Sequence, residues 1–109
     1  MAYDAQLAER VRRLLARRKD ITEKKMFGGL AFLLRGKMCC GVLQEDLVVR
    51  VGPERYAAAV AAPHARPMDF TGRPLRGFLF VAAAGYKTDA ALRKWLQQAI
   101  EFASSIAGR

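Results

Sequence analysis

The side chains best suited to chemistry in this sequence are two adjacent cysteines, Cys39 and Cys40, and a single histidine, His64. A thiolate with an imidazole base makes a nucleophile, and with further ligands the same groups hold zinc. The spacing supports neither. No C-x-x-C pair is present, and a metal site needs three or four converging ligands. His64 lies in Pro63-His64-Ala65-Arg66-Pro67, a run too rich in proline for regular structure, so a Cys–His pair would need the fold to bring distant residues together. On a strand, neighbouring cysteines point to opposite faces, which predicts one thiol in the core and the other on the second face. A disulfide between sequence neighbours cannot act as a framework staple. Ser104 and Ser105, the only serines, stand near the C-terminal end, and Glu45-Asp46 is a turn composition with solvated acids. Lys24-Lys25-Met26-Phe27-Gly28-Gly29 mixes lysine and glycine, but a phosphate loop ends in Gly-Lys-Ser/Thr at a helix start. Here the lysines come first and a strand follows, so the glycines predict a backbone bend. The expectation is a protein that is not an enzyme and has no cofactor site and no metal site.

Charge is the remaining signal. The chain carries 19 Lys and Arg against 10 Asp and Glu, a net +9. The first 37 residues hold ten of the basic side chains against four acidic ones. Such an excess draws phosphates, acidic protein surfaces or anionic lipid. Lys24, Lys25, Arg50, Arg55, Arg66, Arg73 and Arg76 fall at expected strand ends and turns. Of these, Lys24, Lys25, Arg50, Arg55, Arg73 and Arg76 are the candidate contacts to a partner or to phosphate. No helix-turn-helix, zinc finger or base-stacking motif accompanies them, and a solvated surface is the favoured account of them.

The elements that must position these residues follow from periodicity and punctuation. A chain of 109 residues suits a single domain spanning 1–109. Its 52% hydrophobic and 27% charged residues match a globular composition. Residues 4–18 predict a helix with Asp4 as N-cap and Leu7, Val11, Leu14 and Leu15 on one stripe. Residues 21–27 predict an edge strand, followed by strands at 30–34, 38–43 and 47–51 joined by tight turns, hence an antiparallel meander. Gly52-Pro53 opens a second helix that ends before Pro63. Met68–Phe70 predicts a short strand, Thr71–Pro74 a turn and Arg76–Ala82 another strand. Thr88 caps a final helix with Leu92, Trp95, Leu96, Ala99, Ile100, Ala103 and Ile106 on a broad apolar face. The fold class is α+β in the order α-β-β-β-β-α-β-β-α. A mostly antiparallel sheet has helices packed on one face, and the other face is left partly open as a docking surface.

Apolar runs such as 30–34 and 56–62 are far too short to span a membrane. The N-terminus lacks a cationic segment followed by an apolar one. With no staple disulfide, these features place the chain in the reducing cytosol.

Four stretches then carry a family resemblance. Thr22–Phe32, with its Lys-Met-Phe-Gly-Gly core, resembles the N-terminal domain of the TfoX/Sxy family. Met38-Cys39-Cys40-Gly41-Val42, Val49–Glu54 and Met68–Phe78 are similar to it in the same order. The family takes its name from bacterial regulators of natural competence, described as acting with the cyclic-AMP receptor protein at promoters. The resemblance therefore implies a transcription-linked protein that works through protein contacts, and it supplies no catalytic residues. The longer regulators carry a second, C-terminal domain, and the resemblance here is to the first. The function expected is a non-enzymatic regulatory interaction module with a protein partner. The alternative is direct, weakly specific nucleic-acid binding through the basic residues, and exposed strand edges leave a homodimer open.

Overall fold

The computed structural model describes residues 3–26, 28–69 and 74–107. Its elements run α1 (Ala5–Leu14), β1 (Ile21–Met26), β2 (Gly29–Leu34), β3 (Lys37–Leu43), β4 (Asp46–Arg50), α2 (Pro53–Val60), β5 (Ala65–Asp69), β6 (Pro74–Val81) and α3 (Asp89–Ala107), with a single 3-10 turn at Ala83–Gly85. The order is the expected α-β-β-β-β-α-β-β-α. Six antiparallel strands form one sheet in the order β1-β2-β3-β4-β6-β5. The first four strands are a meander. The chain then leaves through α2 and returns with a hairpin whose second strand, β6, pairs with β4. That leaves β5 on one edge and β1 on the other.

Local chemistry explains the helix starts. The Asp4 carboxylate accepts hydrogen bonds from the N–H groups of Gln6 and Leu7 at 2.9 and 3.2 Å, which satisfies donors left free by the first turn. Pro53 follows Gly52 at the start of α2. The Thr88 hydroxyl accepts from the Ala91 N–H at 3.1 Å at the start of α3. α1 is shorter than the apolar spacing predicts. It stops at Leu14, and the chain turns through residues 15–17. Leu15 still reaches the core from the cap position. Arg18 belongs to the descent into β1, where Arg18 and Arg35 flank Asp20 at 3.2 and 3.3 Å. Both cations hold the Asp20 carboxyl below its usual range, Arg18 most through its hydrogen bonds.

One large core lies between the sheet and all three helices. Leu7, Ala8 and Val11 of α1, Ala59 of α2, and Leu92, Trp95, Leu96, Ala99 and Ala103 of α3 share a cluster with strand residues such as Leu30, Phe32, Val42, Leu47, Val49, Leu79 and Val81. The ladder aligns these strand residues in rows, Phe32–Cys40–Val49–Leu79 and Leu30–Val42–Leu47–Val81. Among the described residues, no helix is long and apolar enough to cross a membrane.

The stretch expected to be an irregular loop, 63–67, is partly a strand. β5 begins at Ala65, and Pro67 pairs opposite Leu79. An edge strand needs donors on one side only, so a proline fits there. The expected end of this strand at Phe70 and the turn Thr71–Arg73 lie outside the described residues.

The second face of the sheet is closed at its centre. Ala31, Val48 and Met68 are buried there, yet none of them belongs to the main cluster. They form a small separate core with the backbone of Gly41. The ladder shifts between Pro67 and Asp69, and Met68, at that irregularity, lines a crevice with residues of β1 through β4. Around this centre Met26, Leu33, Met38, Leu43, Phe78 and Phe80 are half-buried. The face expected to be open is thus buried at its centre, where Met68 lies beside Ala31, Gly41 and Val48, and half-buried around it.

Candidate functional site

Strand alternation does not separate the two cysteines. The β2–β3 pairing passes from Phe32 opposite Cys40 to Leu33 opposite Met38. Cys39 is therefore the extra residue of a bulge. Such a bulge breaks the two-residue alternation locally, and both thiols are free, fully buried and part of the main core cluster. This corrects the expectation of one thiol on each face. The hydrogen bond with Cys40 holds the Cys39 thiol below its usual range, against burial, and the charge of Arg18 works in the same direction. The same hydrogen bond and its burial push the Cys40 thiol up. His64 is exposed, with a left-handed φ of 70° in the turn before β5. Among the described residues, no three His, Cys, Asp or Glu side chains gather closely enough for a metal ion.

Burial decides what the thiols can do in the folded state. Both should alkylate slowly in the native chain and rapidly once it is denatured, as followed by mass spectrometry with iodoacetamide. Fast native labelling of Cys39 would show that the core around it opens readily.

The basic candidates are distributed over the molecule. Lys24 and Lys25 are exposed on the edge strand β1 and, by register, belong to opposite faces, since Lys24 pairs with Ala31 and Lys25 with Leu30. Arg50, at the end of β4, is half-buried. Its guanidinium carbon lies 5.1 Å from the Phe78 ring centre and 5.2 Å from that of Phe102, and an N–H reaches the Met38 carbonyl at 3.5 Å. Arg55 on α2 is engaged with Glu101 on α3 at 2.7 Å, and its hydrogen bond lowers the Glu101 pKa. Arg66 pairs with Asp46 at 2.5 Å and stacks over Phe80 at 4.9 Å. Arg73 and the side chain of Arg76 lie outside the described residues. Lys24 and Arg66 occupy opposite ends of one row on the second face, Lys24–Ala31–Gly41–Val48–Phe80–Arg66.

What the sequence did not reveal is the pairing of arginines with half-buried aromatics on that face, Arg50 with Phe78 and Arg66 with Phe80. A partial signal exists. Phe78 and Phe80 share one parity of their strand, and the core-facing parity is already taken by Leu79 and Val81. A guanidinium on an aromatic face gains about 0.5–2 kcal/mol, depending on how far the pair is desolvated. Arginine and aromatic residues are also those that dominate protein interfaces.

The TfoX N-terminal domain family model matches residues 13–103. The match takes in all six strands, α2 and most of α3. The chain belongs to the TfoX N-terminal domain family. Comparison with curated proteins and with solved structures gave no match. For this TfoX N-terminal domain, the matched segment contains both arginine–aromatic pairs and the cysteine bulge. The membership points to a regulatory role related to competence.

Proposed function

We propose that this TfoX N-terminal domain is a non-enzymatic regulatory module that docks a protein partner on the second face of its sheet, in transcription-linked regulation of the kind for which the family is named. The observation that carries this reading is the half-buried rim of that face, where Phe78 and Phe80 each lie under an arginine. A packed, inaccessible face offers no docking area, and a wholly polar one gains little by dehydration. This rim combines apolar surface with cations, which suits a partner with an acidic, partly apolar surface.

The test is capture from nuclease-treated lysate of the source cells, using the tagged chain beside F80S and R66E. A partner held by the native chain and lost by both variants supports the reading, provided both variants melt cooperatively. A partner held equally by all three places docking elsewhere.

Lys24 and Lys25 favour a second reading, direct and weakly specific nucleic-acid binding. Both are exposed, and neither has a carboxylate partner among the described residues. Such binding should weaken steeply with salt as counterions are released. K24E/K25E should then lose it with the melting temperature little changed, because exposed charges contribute little to stability. Retention of duplex DNA by K24E/K25E in a salt titration would remove this reading.

A further inference from the structure

The two edges of the sheet are not alike. At the β5 edge, the His64 carbonyl accepts from the Ala82 N–H at 2.9 Å. Hydrogen-bonded pairs alternate along an antiparallel ladder, so Pro67 takes an outward position, where it supplies no donor. The ladder then shifts between Pro67 and Asp69. Prolines and such irregularities turn further strands away. β1, at the other edge, carries neither. Among the described residues it pairs with β2 alone, in unbroken register from Ile21–Leu34 to Met26–Gly29. Thr22, Glu23, Lys24 and Lys25 are exposed. The Asp20 carbonyl accepts from the Arg35 N–H at 3.0 Å, one pair before Ile21–Leu34. By the same alternation Thr22 and Lys24 bond to β2, and the N–H and C=O groups of Ile21, Glu23 and Lys25 face outward. The acids of this edge are neutralised within the chain. Arg12 grips the Glu23 carboxylate at 2.7 and 2.9 Å, and Arg18 and Arg35 flank Asp20. Lys19, Lys24 and Lys25 are exposed and have no carboxylate partner among the described residues.

We propose that the free edge of β1 takes up an extended acidic segment of a partner protein as a seventh strand of the six-stranded sheet. The outward groups of Ile21, Glu23 and Lys25 supply the ladder, as in other cases of strand addition. Side chains of the added strand alternate between the two faces. It therefore meets Lys25 on one face and Lys24 on the other, and two adjacent acids satisfy both. Opposite charges across a strand pair stabilise it, and like charges oppose it. That rule disfavours a second copy of the chain. Two β1 strands related by a two-fold axis set one residue against its own copy, and at mid-strand that residue is Glu23 or Lys24. Each copy also brings a net charge of +9. The pair of Arg12 with Glu23 ties β1 to α1, so the edge is held in place before a partner arrives, which lowers the ordering cost of binding. This edge is separate from the rim at Phe78 and Phe80, which belongs to β6 on the far side of the sheet.

The probe is a blocked peptide, Thr-Val-Glu-Glu-Val-Thr, added to the whole chain labelled with ¹⁵N. Its control is Thr-Pro-Glu-Glu-Pro-Thr, which has the same charge but lacks the donors of a strand. The first peptide should move the amide signals of Ile21, Glu23 and Lys25 downfield and slow their hydrogen exchange. The Thr22 and Lys24 amides, bonded to β2, should be protected before it is added. The proline peptide should do neither. K25A and K25P both remove the charge, but only K25P removes an outward N–H. K25P should therefore bind the first peptide more weakly than K25A, by up to about tenfold, the worth of one hydrogen bond. Both variants should melt alike, because the β1–β2 ladder does not use that N–H. If K25P does not fold, the amide pattern of the unsubstituted chain still decides. No response to the first peptide, or equal responses to the two peptides, would overturn the proposal. So would a titration in which duplex DNA shifts Lys24 and Lys25 while the first peptide leaves Ile21 and Glu23 unmoved; that outcome assigns the edge to nucleic acid.

Discussion

Replacing Gly52 with alanine is expected to destabilise the chain by about 3–5 kcal/mol, from backbone strain together with overpacking. Gly52 has φ 86° and ψ 163°, a region that residues with a Cβ rarely enter. A Cβ built there would overlap the ring of Phe102. The Arg50 guanidinium also stacks on that ring. The backbone is held as well. The N–H groups of Val51 and Gly52 both donate to the Gly77 carbonyl, at 2.8 and 3.2 Å. Such a loss is a large part of the roughly 5–15 kcal/mol that holds a typical domain together. The measurement is the urea midpoint, read with the slope. Gly36 provides the comparison. It has φ 84° but open space around the added methyl, so G36A should cost only the strain, about 1–2 kcal/mol. Equal losses for the two variants would mean that Phe102 yields, and that its contact with Gly52 does not position α3.

Trp95→Ala should cost about 3–5 kcal/mol, the usual range for emptying a buried aromatic site. Trp95 is 8% exposed and belongs to the main core cluster. Its indole N–H donates to the Gly85 carbonyl at 3.2 Å. Truncation therefore leaves a cavity under α3 and removes the tie between that helix and the 3-10 turn before it. Lys94→Ala, one residue earlier on an exposed position of the same helix, should change stability by less than about 0.5 kcal/mol. Thermal and urea unfolding of the pair measures the difference. A W95A protein as stable as K94A would mean that α3 does not seal this core.

The two predictions differ in how far the sequence foretells them. The apolar spacing of Leu92, Trp95, Leu96, Ala99 and Ala103 already turns Trp95 toward a core, and all five are buried. Gly52 is legible only as the residue before a helix-opening proline. Its contact with Phe102 joins positions 50 residues apart, since 102 − 52 = 50, and no local pattern encodes such a contact.

The candidate site divides along the same line. The basic residues are visible as residues. Their engagement is not, because an ion pair such as Arg55 with Glu101 spans 46 positions, and the pairs of Arg50 with Phe78 and Arg66 with Phe80 depend on strand order. That order places β6 beside β4, with β5 outside it.

Element order, the capping residues Asp4 and Thr88, the proline start of α2 and the turns of the meander were settled by the sequence alone. Each depends on residues within one helical turn or one tight reversal. The tertiary structure alone decided that both cysteines are buried in one core, that a strand runs through Pro67, and that Met68 is buried on the second face of the sheet. Alternation along a strand can be counted from its own residues, but the residue that a partner strand skips is a property of the pair. At Cys39 such an irregularity redirected a side chain.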